Sequence, residues 1–391
     1  MKKTRRVYGF GLIYLLVFLL SLADGLAGYV QSSFLNQFFS LSYIGLIIGA
    51  CAAASIILSI WLPPIISRLS LYKTGLSLVI INIICSLALA LLKNPTLVFG
   101  FFLVRYLGFL FLLIVLDIWL EKISTDKITG FIRSIYLTAI NLAWLASPFL
   151  MSKIVGIDNY HRIYLAGALL LSAFCLIVLF KRKVLQPAKA DKQARNINFL
   201  PALKQLSHQH DVLASMVSVV VLNIFYTLAV IYLPIYLHNS LGFSWQTIGI
   251  IFTFMLLPFV FLQFPAGLLA DRYWGEKEMM MSGNVIMAVS ATIIFLSTSH
   301  SVIFWTILLF LSRCGAALSE SMQEIYFYKK ISAKDVGLIN LFRQSRGLGW
   351  LIGSLLAFVS LKFMNIPDLF LIAAGILIID TIQLGFINDT K

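Results

Sequence analysis

Twelve apolar runs, each long enough to cross a bilayer, decide what this chain can fold into. They lie at about 8–36, 41–68, 73–92, 96–120, 129–153, 160–180, 212–238, 245–270, 279–299, 302–328, 335–362 and 368–388. A spanning helix needs roughly 20 mostly apolar residues. Barrel strands would be short and would alternate in polarity, whereas these runs are long and continuous. With 60% apolar residues, 12% charged residues and a mean hydropathy of +0.94, the chain carries more apolar surface than a water-soluble fold can bury. A soluble enzyme, a disordered chain and a collagen-like fibre are therefore excluded.

The net charge of +14 does not point to nucleic acid. The basic residues sit in short clusters between apolar runs, with no basic stripe interleaved with exposed aromatics. With the N-terminus placed in the cytoplasm, 22 of the 30 lysines and arginines fall inside and 4 outside, the other 4 lying within spans. Inside-facing loops carry this excess, so both termini are expected in the cytoplasm. Lys2-Lys3-Thr4-Arg5-Arg6 and Ser21-Leu22-Ala23 mimic the ends of a signal peptide. The apolar run continues past Ala23, so it is read as the first span. Residues 182–211 form a basic linker with Pro187 and Pro201, between a bundle at 1–181 and another at 212–391.

No cofactor or metal is expected. Cys51, Cys85, Cys175 and Cys314 lie far apart within apolar runs and have neither disulfide nor zinc spacing. His208-Gln-His210 is the one pair suggestive of a metal, and it lies in a polar loop with no cysteine or further histidine near it. No phosphate loop of the GxxxxGK[ST] type and no nucleophile–base spacing occurs, which argues against ATP-driven transport and against an enzyme.

The two halves repeat each other. Ile44-Gly45-Leu46-Ile47 recurs as Ile248-Gly249-Ile250-Ile251, and Leu103-Val104-Arg105 as Leu311-Ser312-Arg313. Lys122-Ile123-Ser124 recurs as Lys330-Ile331-Ser332, and Leu142-Ala143-Trp144-Leu145 as Leu348-Gly349-Trp350-Leu351. The offsets stay between 204 and 208 and preserve the order of elements. The expected fold class is thus an all-α membrane protein, with twelve transmembrane helices in two pseudo-symmetric six-helix bundles.

At this point the chain resembles the major facilitator superfamily over essentially its whole length. Gly267-Leu268-Leu269-Ala270-Asp271-Arg272 looks like that family's G-x-x-x-D-R loop. Gly267 lets helices approach closely. Asp271, beside Arg272, suits the N-terminal amides of a neighbouring helix, where it would latch one conformation. The first half has Pro63-Pro64-Ile65-Ile66-Ser67-Arg68 at the equivalent place, without the glycine and the aspartate. Arg105-Tyr106-Leu107-Gly108 resembles the family's R-x-x-x-G region, where the arginine is linked to proton transfer in some members. Ala143-Trp144-Leu145-Ala146-Ser147-Pro148 keeps the small residues and the proline of an antiporter-associated fifth-span motif, though not its trailing glycines.

Ionisable residues inside spans are costly and are the natural functional candidates. Asp24 lies mid-way along the first run, Arg105 and, nearer the cytoplasmic end, Asp117 in the fourth, Glu320 and Glu324 in the tenth, Arg343 and Arg346 in the eleventh, and Asp380 in the twelfth, a peripheral span in the family resembled and so expected to be structural. Glu320 and Glu324 share one helix face, as do Arg343 and Arg346, and the two pairs are expected to touch. They form either a static salt-bridge network or a protonatable cluster. Glu324 has Arg272 as an alternative partner, and Asp24 has only Arg105 in its own half. Asp24, Glu320, Glu324 and Arg105 are the proton-coupling candidates. The substrate-cavity candidates are Tyr29, Gln31, Asn141, Asn223, Tyr226, Arg313, Arg343 and Arg346. In the family resembled, the first and seventh spans, which hold Tyr29, Gln31, Asn223 and Tyr226, line the central cavity.

The function expected is secondary active transport of a small molecule by alternating access, coupled to protons, by a monomer in the cell membrane. Efflux of amphiphilic or cationic compounds stands first. A proton symporter importing a sugar, a nucleoside or another polar nutrient is the alternative, and Arg105 and Arg313 at matching positions suit its oxygens. A non-transporting scaffold or sensor is a third class, which the number of intramembrane charges opposes. Partners are the small molecule, protons and the bilayer, with no nucleic acid.

Overall fold

The computed structural model describes residues 2–59, 68–123, 129–185, 205–207, 209–262, 265–267, 270, 275–331 and 335–388. Among them, twelve principal helices follow one another in the order of the apolar runs. They are α1 (Lys2–Gly28), α2 (Leu41–Ser59), α3 (Leu71–Leu91), α4 (Pro95–Ile123), α5 (Thr129–Val155) and α6 (His161–Phe180). Then come α7 (His210–Ile235), α8 (Trp245–Leu256), α9 (Glu276–Leu296), α10 (Val302–Lys330), α11 (Val336–Ser360) and α12 (Ile366–Leu384). Among the described residues, ten helices are long and apolar enough to cross a membrane. The other two are α8, which runs on through a short helix at Pro258–Phe261, and α11. α11 is long enough, at 25 residues, but carries Arg343, Gln344 and Arg346 in its first half. Outward positions such as Leu91, Leu169, Phe180, Ile303 and Ile379 are exposed and apolar, as a lipid solvent requires and water would not permit.

Two runs are less continuous than hydropathy suggests. The first helix ends at Gly28, and a six-residue helix, Gln31–Asn36, follows after a turn. Glycine is a poor helix former, and a Cβ on Gly28 would lie 3.0 Å from the Trp144 ring of α5. Asp24 therefore sits in the last turn of α1 and not at its middle, and Tyr29 and Gln31 lie beyond the helix. The eighth run breaks at Leu257, because Pro258 lacks the N–H that the helix needs and opens a new turn. Starts are better marked. Ser244 and Ser301 cap α8 and α10 by accepting from the N–H of Thr247 and Phe304, and Asn365 with Asp368 forms a capping box on α12.

The chain divides into two compact units, residues 1–39 with 57–195 and residues 40–56 with 196–391. In the first, α1, α3, α4, α5 and α6 share a core built on Leu16, Val79, Leu116, Tyr136 and Phe174. The expectation had α2 inside the first bundle, but it packs with the second unit. There a Cβ on Gly45 would lie 2.6 Å from the Ser354 carbonyl of α11, so the glycine allows the close approach.

Within the second unit, α9 and α10 approach closely at Gly283 and Gly315. A Cβ on either would fall 2.6 or 2.5 Å from the other's carbonyl oxygen. Gly349 does the same for α11 against Asn223 of α7. Lipid offers no hydrophobic drive between helices, so close packing of this kind and buried hydrogen bonds hold the bundle.

Candidate functional site

In the first unit the intramembrane charges converge. α4 carries Arg105, 5% exposed, toward the end of α1. Its Nη2 donates to Asp24 Oδ1 at 3.3 Å and to the Ala23 carbonyl at 3.4 Å. The guanidinium also stands over the ring of Tyr164 on α6, 5.5 Å from its centroid. The Tyr164 hydroxyl is buried and has no hydrogen-bond partner among the described residues. The Phe34 ring packs against that of Tyr164, with centroids 4.6 Å apart. Asp24 thus has the partner that the sequence singled out. Tyr164 was not anticipated, because one aromatic residue in an apolar run carries no signal of what it touches.

The second unit holds a larger cluster. Tyr226 on α7 donates to Glu320 Oε2 on α10 at 3.1 Å. Arg346 on α11 stands 3.9 Å from Glu320 and forms a direct ion pair with Glu324. The carboxylate pair and Arg346 meet as expected. Arg343 does not join them. It is exposed and makes no ion pair among the described residues. Arg313, 3% exposed, lies about two helical turns before Glu320 on α10. Its guanidinium rests on the rings of Phe225 and Tyr226, 5.7 and 5.4 Å from their centroids. No carboxylate pairs with it among the described residues, so it is a buried cation held by aromatic faces.

The other candidates disperse. Asn223 donates to the Val219 carbonyl of its own helix and lies in the seam against Gly349. It packs where α7 meets α11. Tyr29 is buried with its ring edge-on to Trp144 at 6.0 Å. Gln31 and Asn141 are half-buried. Gly267 is half-buried, with only the tip of Ile325 within reach of a Cβ. Asp271 and Arg272, and with them the proposed latch, lie outside the described residues, as does His208. The cysteines are free thiols, three buried and Cys314 half-buried.

A polar network on α7, α9, α10 and α12 was also unforeseen. Ser218 and Asn284 donate to Asp380 Oδ2, both at 2.7 Å. Gln323 donates to Ser218 at 3.0 Å, and Ser319 donates to Asn284 Oδ1 at 3.0 Å.

Comparison with known proteins agrees with this architecture. A family model described as Major Facilitator Superfamily matches residues 13–252 and 218–390. A crystal structure of the nucleoside transporter NupG superposes with a TM-score of 0.77 at 16% identity, covering 96% of this chain and 98% of that one. A point mutant of NupG gives 0.79 at 17% identity, covering 96% and 99%. A bacterial homologue of the human lysosomal transporter Spinster gives 0.69 at 12% identity, covering 97% and 95%. At these identities the likeness is one of fold. No curated protein matches the sequence.

Proposed function

The chain belongs to the major facilitator superfamily of membrane transporters, and from that premise we propose that it couples protons to the movement of a polar, oxygen-rich small solute. One observation carries this reading. Arg313 is buried on two aromatic rings without a carboxylate partner among the described residues. A desolvated guanidinium of this kind calls for the oxygens of a ligand, and its planar fork suits them. Asp24 and Glu320 are each already engaged by an arginine of a neighbouring helix. They suit proton binding better than capture of a cation, because a proton on Asp24 releases Arg105 from its ion pair and a proton on Glu320 leaves Arg346 to Glu324 alone. A nucleoside, the cargo named for one structural relative, is a solute of this class, as is a sugar.

The proposal includes alternating access by bundles at 1–181 and 212–391 joined by the basic linker 182–211, in a monomer of the cell membrane. The Lys/Arg bias supports placing both termini in the cytoplasm. Export of amphiphilic or cationic compounds is the second reading. It is favoured by Trp144 and Ser147 of the partial fifth-span motif, which pack on Gly28 and Gly25 of α1.

The test uses purified protein in liposomes that enclose a pH-sensitive dye. Nucleosides, sugars and lipophilic cations are added in turn, and active cases are repeated with Glu320→Gln and Asp24→Asn. Proton entry driven by a nucleoside or sugar, and lost in a variant, is the expected result. Discharge of a proton gradient by lipophilic cations alone would replace the first reading with the second.

A further inference from the structure

Asp380 takes no part in either cluster, and its surroundings are unlike those of every other intramembrane charge described. It is 2% exposed, about one helical turn before the end of α12. Both of its donors, Ser218 of α7 and Asn284 of α9, converge on Oδ2. The second oxygen, Oδ1, is buried and has no partner among the described residues. Among the described residues no charged side chain forms an ion pair with it. Of the charges on the helices around it, Arg313 of α10 rests on aromatic rings, Lys277 of α9 donates to carbonyls just past α12, and Glu278 of α9 is exposed. Asp211 at the start of α7 pairs with Lys330 of α10, and Glu276 at the start of α9 pairs with Lys329 of α10. Glu320 and Glu324 of α10 are held by Arg346. Asp368, on α12 itself, caps that helix at its far end.

A carboxylate anion that is 2% exposed and has no ion-pair partner among the described residues is costly to bury. Something must neutralise it. A hard metal cation collects about six oxygen ligands or more, whereas the groups nearest the carboxylate here are an N–H and an O–H donor. A proton needs one oxygen, and Oδ1 is bare.

We propose that Asp380 is a proton-binding site of the second unit, occupied in this structure as the neutral acid with its hydrogen on Oδ1. The carboxylate takes one proton from water and becomes the carboxylic acid, while Oδ2 keeps its two donors. A neutral acid with one unmade hydrogen bond is far easier to bury than an unpaired anion. The site is tied to the Glu320 cluster through shared helices. Ser218 lies on α7 with Tyr226, and Gln323, which donates to Ser218, lies on α10 one turn from Glu320. The assignment is independent of the coupling roles given to Asp24 and Glu320 and stands or falls without them.

Infrared difference spectroscopy of the full chain in lipid tests it directly. Wild type at neutral pH is expected to show the C=O absorption of a protonated, buried carboxyl group, shifted in deuterated water. Asp380→Asn should lack that band and retain the wild-type melting temperature, since an amide mimics the neutral acid. Ser218→Ala should keep the band and move its frequency, which identifies the carboxyl group even if the asparagine variant folds poorly. Both halves of that result are required. An identical spectrum for wild type and Asp380→Asn would overturn the proposal. So would a band that vanishes when sodium chloride replaces choline chloride, which would assign the site to a metal cation.

Discussion

Arg346 holds Glu320 and Glu324 at once, reaching two carboxylates one helical turn apart on α10 from a single position on α11. The two contacts differ in environment. The Glu324 side chain is 48% exposed, against 29% for Glu320, which also accepts from Tyr226. Exposed ion pairs contribute roughly 0–1 kcal/mol. Glu324→Gln should therefore shift the melting temperature in detergent only slightly and leave transport near wild type. Glu320→Gln should abolish proton movement in the liposome assay. Equal loss of transport in both variants would mean that the pair works as one unit.

Asp24 and Arg105 form a more secluded pair, with side chains 21% and 6% exposed. Removing one partner of a buried pair commonly costs about 3–5 kcal/mol. Arg105→Ala should lower the melting temperature markedly. Asp24→Asn with Arg105→Gln should recover most of the loss, because no uncompensated charge remains. A double-mutant cycle on thermal stability measures the coupling.

The contact of α9 with α10 predicts a sharp contrast between glycines. Gly315→Ala drives a methyl group against the Gly283 carbonyl, and overpacking of that kind costs typically about 1–3 kcal/mol. Gly375→Ala on α12 meets nothing within 4 Å. It should be neutral or stabilising by up to roughly 1 kcal/mol through helix propensity. Thermal unfolding monitored by size-exclusion chromatography separates the two.

The role proposed for Arg313 predicts a change in affinity rather than in stability. Arg313→Lys keeps the charge but loses the planar group that lies on Phe225 and Tyr226. Uptake kinetics in liposomes should show KM raised about tenfold, equivalent to roughly 1.4 kcal/mol, with kcat little changed. An unchanged KM for every solute in the panel would remove Arg313 from the binding site.

The charges were legible in the sequence because each stands out against an apolar run. Pairings followed wherever helical spacing or the internal repeat left few alternatives. Asp24 with Arg105, and Glu320 and Glu324 with Arg346, are of this kind. Arg105 and Arg313, matched by the repeat, fall on α4 and α10, helices of 29 residues each. Hydropathy alone hid the break after Gly28, since a helix and a tight turn can be equally apolar. It also hid Tyr164, Ser218 and Asn284, which are unremarked residues in a span until the rotation of the helix brings them to a charge. The place of Asn223 in a helix seam was hidden for a related reason. Its amide found an acceptor on its own backbone, which no spacing forbids.

Lys277 of α9 donates to the Gly385 and Ile387 carbonyls just past α12, at 2.8 and 3.0 Å, and Tyr326 of α10 donates to that of Asn388 at 2.7 Å. The network at Asp380 joins the same three helices deeper in the bundle. A single pin would let the rods swivel about it, but two pins at different heights lock them as a plank fixed by two nails. Any bending in the transport cycle must then fall outside the α9–α10–α12 plank, or wait until one of the nails is drawn.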